Sequence, residues 1–164
     1  MLVNFIGFNI SWFGLVLFGE LFIPFTFFWL CVHLYDSKYP KVECKLIITI
    51  TVIGTLVDTA LQSVNFFIFD QSAFIPLWLV TLWAAFAATL TQILKFLDKS
   101  KLLQAVIGFI FPPLSYLGGA QLASVEFGQS LLITYFVLGS IWSVLMMLFF
   151  YLKTLFYRQV AVND

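Results

Sequence analysis

All eight Lys and Arg residues of this chain fall at alternate junctions between six apolar blocks. The blocks run at about 2–18, 21–35, 46–69, 73–97, 102–125 and 129–152. Lys38, Lys41 and Lys45 separate the second block from the third. Lys95, Lys99 and Lys101 mark the junction of the fourth and fifth, and Lys153 and Arg158 follow the sixth. The first, third and fifth junctions hold only the acids Glu20, Asp70 and Glu126. Six membrane crossings put every cation on one side, whereas another number would scatter them. The positive-inside rule makes that side cytoplasmic. The expectation is therefore an all-α, polytopic membrane protein. It is a six-transmembrane-helix bundle with both termini inside, forming a single membrane domain over 1–164.

Block lengths agree with that reading. A helix needs about 20 residues to cross the hydrocarbon core. The last four blocks meet this, and the first two are short, at roughly 15–17 residues. Joined as one helix, the first two would be about 50 Å long, too long to span. Gly19 and Pro24 flank Glu20 and favour a break, so a tight helical hairpin is expected, with a re-entrant pair as the alternative. The composition fits, since 62% of residues are hydrophobic and 10% charged, against roughly 25% charged in soluble domains. Net charge is zero, which suggests no nucleic-acid partner. The N-terminal block has no basic region before it and no small-residue cleavage site after it, so it reads as a retained helix. Cys31 and Cys44 form no CxxC motif and are expected to be free, reduced thiols.

One polar stripe stands out. Thr51, Thr55, Asp58, Gln62 and Asn65 recur at spacings of 4, 3, 4 and 3 along the third block, which aligns them on one helix face. Asp58 is expected about halfway across the membrane, where an aspartate costs about 2.5–3.5 kcal/mol on insertion scales. No basic residue occurs at that depth. The expectation is a wholly or partly protonated carboxyl that donates a hydrogen bond to a neighbouring helix. Pro112 and Pro113 supply a candidate acceptor, because each proline frees the carbonyl four residues earlier, at Gly108 and Phe109. A break in the fifth helix there would put Ser115 and Tyr116 beside a site, with a simple kink as the alternative. In the fourth block Trp83 either lines a pocket or faces lipid. Asn4, Gly7, Ser11 and Gly14, spaced 3-4-3 in the first block, allow close helix packing.

The sites proposed from sequence are thus Asp58, Gln62, Asn65, Thr55, Ser115, Tyr116 and Trp83, for ligand binding or proton handling. The competing reading makes Asp58 an interhelical hydrogen-bond post. No metal site or cofactor is expected. One histidine cannot build a multi-histidine centre, and no HExxH, GxSxG or phosphate-loop motif occurs. His33 with Asp36 is a candidate acid–base pair at the cytoplasmic surface, with an interfacial polar residue as the blander reading.

Asn4-Phe5, Phe8, Trp12-Phe13, Gly54 to Asp58, Pro76-Leu77-Trp78, Leu82-Trp83, Phe86 and Pro112 to Gly119 form an ordered series. The series resembles an uncharacterised family of small bacterial inner-membrane proteins, catalogued as a domain of unknown function, over nearly the whole chain. The resemblance implies a bacterial inner-membrane location and a setting near fatty-acid-modifying enzymes of the cyclopropane-synthase type. It brings no catalytic residue with it. Vitamin-binding subunits of energy-coupling transporters and the small tryptophan-rich sensors match less well.

Three functions follow as expectations. The first is a non-catalytic protein that binds a lipid or small amphiphile, or supports membrane-lipid modification. The second is a small proton-coupled transporter using Asp58. The third is an intramembrane enzyme using Asp58 with Tyr116 or Ser115. The lipid bilayer is the expected partner, with an oligomer or membrane partner left open.

Overall fold

A computed structural model of the chain describes residues 2–69, 74–122 and 124–161. The described residues form six α-helices: α1 (Leu2–Phe18), α2 (Ile23–Tyr35), α3 (Pro40–Ser63), α4 (Leu77–Thr89), α5 (Lys101–Gln121) and α6 (Leu131–Ala161). Four segments are long and apolar enough to cross a membrane: Leu2–Tyr35, Pro40–Ser63, Lys101–Gln121 and Leu131–Arg158. Their outward faces carry large apolar side chains such as Phe13, Phe27, Phe28, Leu56 and Leu131. Such a surface suits lipid rather than water.

The segment 2–35 folds back on itself. Gly19 adopts φ +57°, a conformation glycine takes without strain, and a short 3-10 turn at Gly19–Phe22 follows. The His33 Nδ1 atom consequently lies 3.3 Å from Asn4 Oδ1, whereas one straight helix would hold these residues roughly 43 Å apart. The small residues of α1 make this hairpin tight. A Cβ on Gly7 would sit 2.0 Å from the Trp29 indole, and one on Gly14 would sit 2.1 Å from the Phe22 ring.

The other helices depart from the block boundaries in informative ways. α3 begins at Pro40, six residues before the expected start at 46, and ends at Ser63 rather than 69. Proline fits the first turn of a helix, where no backbone donor is needed. Six of the ten residues of the expected polar loop, 36–45, are thus helix. Asp58 therefore lies in the last third of α3, not halfway along it. Five residues separate it from the end of α3, about 8 Å along the axis.

α4 has only 13 residues, about 20 Å, in place of the expected 73–97. The expected turn at Asp70–Ser72 and the start at Ala73 lie outside the described residues. Beyond Thr89 the chain passes through turns to a 3-10 segment at Lys95–Leu97. The Lys153 ammonium of α6 donates to the Leu90 carbonyl at 2.8 Å, which satisfies a group that the end of α4 sets free.

α5 runs without interruption through Pro112 and Pro113, so the expected break is absent. It starts at Ser100, whose side chain accepts from the Leu103 amide. The Gly108 and Phe109 carbonyl region faces α6. A Cβ on Gly108 would come within 2.5 Å of the Trp142 carbonyl, and one on Gly139 within 2.9 Å of Phe109. Small residues on both helices let the two backbones approach closely. α6 continues to Ala161, beyond the expected end at 152.

A two-residue antiparallel ladder, β1 (Phe67–Ile68) with β2 (Glu126–Phe127), joins the loops after α3 and before α6. It lies at the end of the molecule opposite the basic residues. Four of them, Lys38, Lys95, Lys153 and Arg158, line one cleft at that basic end.

Candidate functional site

α3 carries two buried carboxylates, Glu43 in its first turn and Asp58 near its other end. Fifteen residues of helix separate them by about 22 Å. The intervening buried residues on that face, Leu46, Ile47, Ile50 and Gly54, offer no polar side chain. The two groups are thus separate sites with separate surroundings.

Asp58 is 1% exposed. The Trp83 indole of α4 donates to its Oδ2 at 2.7 Å, and the Tyr116 hydroxyl of α5 donates to both carboxyl oxygens at 2.9 Å. Trp142 of α6 lies edge-on to the Tyr116 ring, with centroids 6.4 Å apart. The partners of the carboxyl are thus Trp83 and Tyr116, in place of the Gly108 or Phe109 carbonyl expected from the sequence. Aromatic rings seal the cluster. Trp83 stacks on Trp142 with centroids 4.7 Å apart and planes 3° apart. Phe67 of the β-ladder stacks on Tyr116 at 5.1 Å and 7°. Gly54, one turn before Asp58, makes room for the Trp83 ring. The arrangement ties α3, α4, α5 and α6 together around one carboxyl group.

The structure thus brings three of the sequence candidates together: Asp58, Trp83 and Tyr116. Ser115 and Asn65 lie apart from these three. Ser115 points away from Asp58 and accepts from the Trp12 indole of α1 at 2.7 Å. Thr55 has a buried hydroxyl with no hydrogen-bond partner. Gln62 is half-buried in the last turn of α3. Asn65 is exposed beyond the end of that helix, with φ +57°, so it does not belong to the stripe. Its carbonyl instead packs against Gly128.

At the basic end, five chain segments meet at Glu43, which is 2% exposed. His33 Nε2 of α2 lies 3.0 Å from Glu43 Oε1. The Thr91 hydroxyl donates to the same oxygen at 2.6 Å, and the Tyr157 hydroxyl of α6 donates to Oε2. Asn4 of α1 links His33 to Gln92. Charge-assisted bonds of this kind are the strong ones. The expected partnership of His33 with Asp36 is replaced by this one: His33 is 1% exposed, while Asp36 is exposed at the helix end. Sequence reasoning placed Glu43 in a loop and passed over it. Pro40 followed by an acid three residues later was the available signal for a helix start.

Tyr157 and Glu43 form part of the wall of a cleft of about 570 Å³ at the same end, also lined by Lys38, Lys95, Lys153 and Arg158. That volume is within the roughly 300–1,000 Å³ usual for small-molecule sites. Among the described residues, no group of three or more His, Cys, Asp or Glu side chains is placed to hold a metal ion.

No curated protein sequence and no solved structure is significantly similar to the chain. A model of the DUF2878 family, described as proteins of unknown function, matches residues 1–148. That match spans all of the Asp58 cluster and most of the cleft, and the chain belongs to the DUF2878 family.

Proposed function

We propose that this chain is a six-span protein of the bacterial inner membrane, with both termini cytoplasmic. In this reading it binds a lipid or small amphiphile and does not itself catalyse a reaction. The headgroup occupies the cleft between the α2–α3 loop, the segment after α4 and the end of α6, and the acyl part lies along the apolar outer faces. One observation carries the reading: a cleft lined by Lys38, Lys95, Lys153 and Arg158 opens at one end of the molecule, next to apolar helix faces. Basic pockets between membrane helices are suited to lipid headgroups. Asp58 then serves as the interhelical post. The rings stacked around it leave it enclosed, as a packing role requires.

The test is native mass spectrometry and lipid analysis of the full chain purified in a mild detergent. Retention of a defined amphiphile is expected, with its loss when cleft residues are changed. A protein that emerges free of any amphiphile, from cells whose lipids do not respond to deletion, would sink the reading.

A second reading rests on the 2.9 Å contact of Tyr116 with Asp58, which keeps an acid–base pair inside the bundle. It would serve an intramembrane enzyme, or a proton-coupled transporter with Asp58 as the carrier. Asp58→Asn separates these from the first reading, because it would abolish flux or turnover while leaving amphiphile retention intact.

A further inference from the structure

The charges of the cleft are not equally free. Glu43 is filled by His33, Thr91 and Tyr157. Lys153 is held by the Leu90 carbonyl and by Asp98 at 2.6 Å. Among the described residues, four charged lining residues form no ion pair: Lys38, Lys95, Arg158 and Asp36. Lys38 lies over the Tyr39 ring at 5.1 Å, a contact that leaves its charge in place. Counting every lining residue, four cations against three carboxylates leave a net charge of +1.

We infer that the cleft takes a phosphomonoester, whose three acceptor oxygens match the three unpaired cations Lys38, Lys95 and Arg158. A phosphomonoester carries about −1.5 to −2 charges at neutral pH and offers three acceptor oxygens. Lysine binds phosphate as a point charge, and the arginine fork binds it through two parallel hydrogen bonds. A carboxylate offers two oxygens to three cations, and a zwitterionic phosphocholine brings a cation of its own, so both fit this lining less well. The buried cluster contributes by positioning. The Tyr157 hydroxyl on Glu43 fixes the last turns of α6, and Arg158 is the next residue on that helix. The inference rests on the amphiphile reading for the source of the phosphate. The same chemistry also occurs in a water-soluble phosphate ester.

The experiment compares four probes on the full chain in detergent: phosphatidic acid, phosphatidylglycerol, phosphatidylcholine and glycerol 3-phosphate. Affinity is measured for the wild type and for the double variant Lys95→Gln/Arg158→Gln. The expected order is phosphatidic acid above phosphatidylglycerol above phosphatidylcholine. Each cation near a membrane surface contributes about 5-fold, so the double variant should lose about 25-fold for phosphatidic acid and little for phosphatidylcholine. Equal binding of all three lipids, unchanged in the variant, overturns the phosphomonoester inference and leaves the amphiphile reading standing. Binding of glycerol 3-phosphate alone, lost in the variant, upholds the phosphate site and overturns the lipid reading. Binding of no probe overturns both. Lys99→Gln/Lys101→Gln, outside the cleft lining, serves as a charge-matched control and should leave the order and affinities unchanged.

Discussion

Gly54→Ala tests the Asp58 cluster at its tightest point. A Cβ at this position would lie 2.0 Å from Trp83 Cδ2, 2.3 Å from Cε3 and 2.4 Å from Cε2. Carbon atoms prefer about 3.5–4.0 Å, so the ring has to retreat by roughly 1.5 Å. Its surroundings oppose the retreat. Trp142 stacks against the ring at 4.7 Å, and Phe86 and Phe149 meet it edge-on at 6.0 and 6.2 Å. Any displacement also strains the 2.7 Å bond to Asp58. Overpacking of this kind costs about 1–3 kcal/mol. A lost interhelical hydrogen bond in a membrane adds about 0.6 kcal/mol on average, for a total of about 1.6–3.6 kcal/mol. Gly118→Ala is the matched control, since its Cβ would lie 3.6 Å from Trp12, an ordinary contact. The assay is equilibrium unfolding in mixed micelles, followed by near-ultraviolet circular dichroism of the tryptophans. Trp83→Ala should largely absorb the effect of Gly54→Ala, giving a coupling energy above about 1 kcal/mol in a double-mutant cycle. If Gly54→Ala is as mild as Gly118→Ala, or if the two substitutions at the cluster simply add, the close fit of Trp83 over Gly54 is refuted.

Tyr116→Phe removes one donor to Asp58 and keeps the ring stacked on Phe67. It should cost about 0.6–1.5 kcal/mol in the same unfolding assay. Asp58→Ala leaves both the Trp83 and the Tyr116 donors without an acceptor and should cost about 2–5 kcal/mol, since each stranded buried group costs about 1–3. Glu43→Ala strands His33, Thr91 and Tyr157 together and should cost about 3–5 kcal/mol. Hydrogen exchange should then show the loosening confined to the ends of α2, α3 and α6, and exchange spread evenly through α3 would contradict a local cluster. Cysteines placed at Lys99 and Glu126 in a cysteine-free chain should react with an impermeant thiol reagent from opposite sides of the membrane. Reaction of both from one side would remove the six-span arrangement.

What was legible in the sequence was set by chemistry that acts within a single segment. Apolar blocks and the sidedness of lysines are local or additive properties, and they led to six helices whose charged ends meet at one end. The 3-4-3 row from Asn4 to Gly14 also read correctly as a packing face, because small residues have few other uses on a membrane helix. The boundaries failed where capping competed with hydropathy. Pro40 starts α3 inside a charged stretch, and the chain after Thr89 leaves the helix although Leu90, Ile93, Leu94, Phe96 and Leu97 keep it largely apolar. There Lys153, 63 residues away, takes up the Leu90 carbonyl, and no local pattern carries that information. Hydropathy also hid Glu43. A carboxylate among three lysines, at 38, 41 and 45, looks solvated until the fold brings His33, Thr91 and Tyr157 to it. Asp58 stood out for the opposite reason, being the lone acid in an apolar block. Yet the partners of both are groups that donate to a carboxylate without needing a formal counter-charge at that position in the sequence. The same helix therefore carries two buried acids of different consequence. One is enclosed by aromatic rings and holds four helices in register. The other has its charge satisfied from within the bundle, which leaves the neighbouring cations of the cleft free to face an incoming anion.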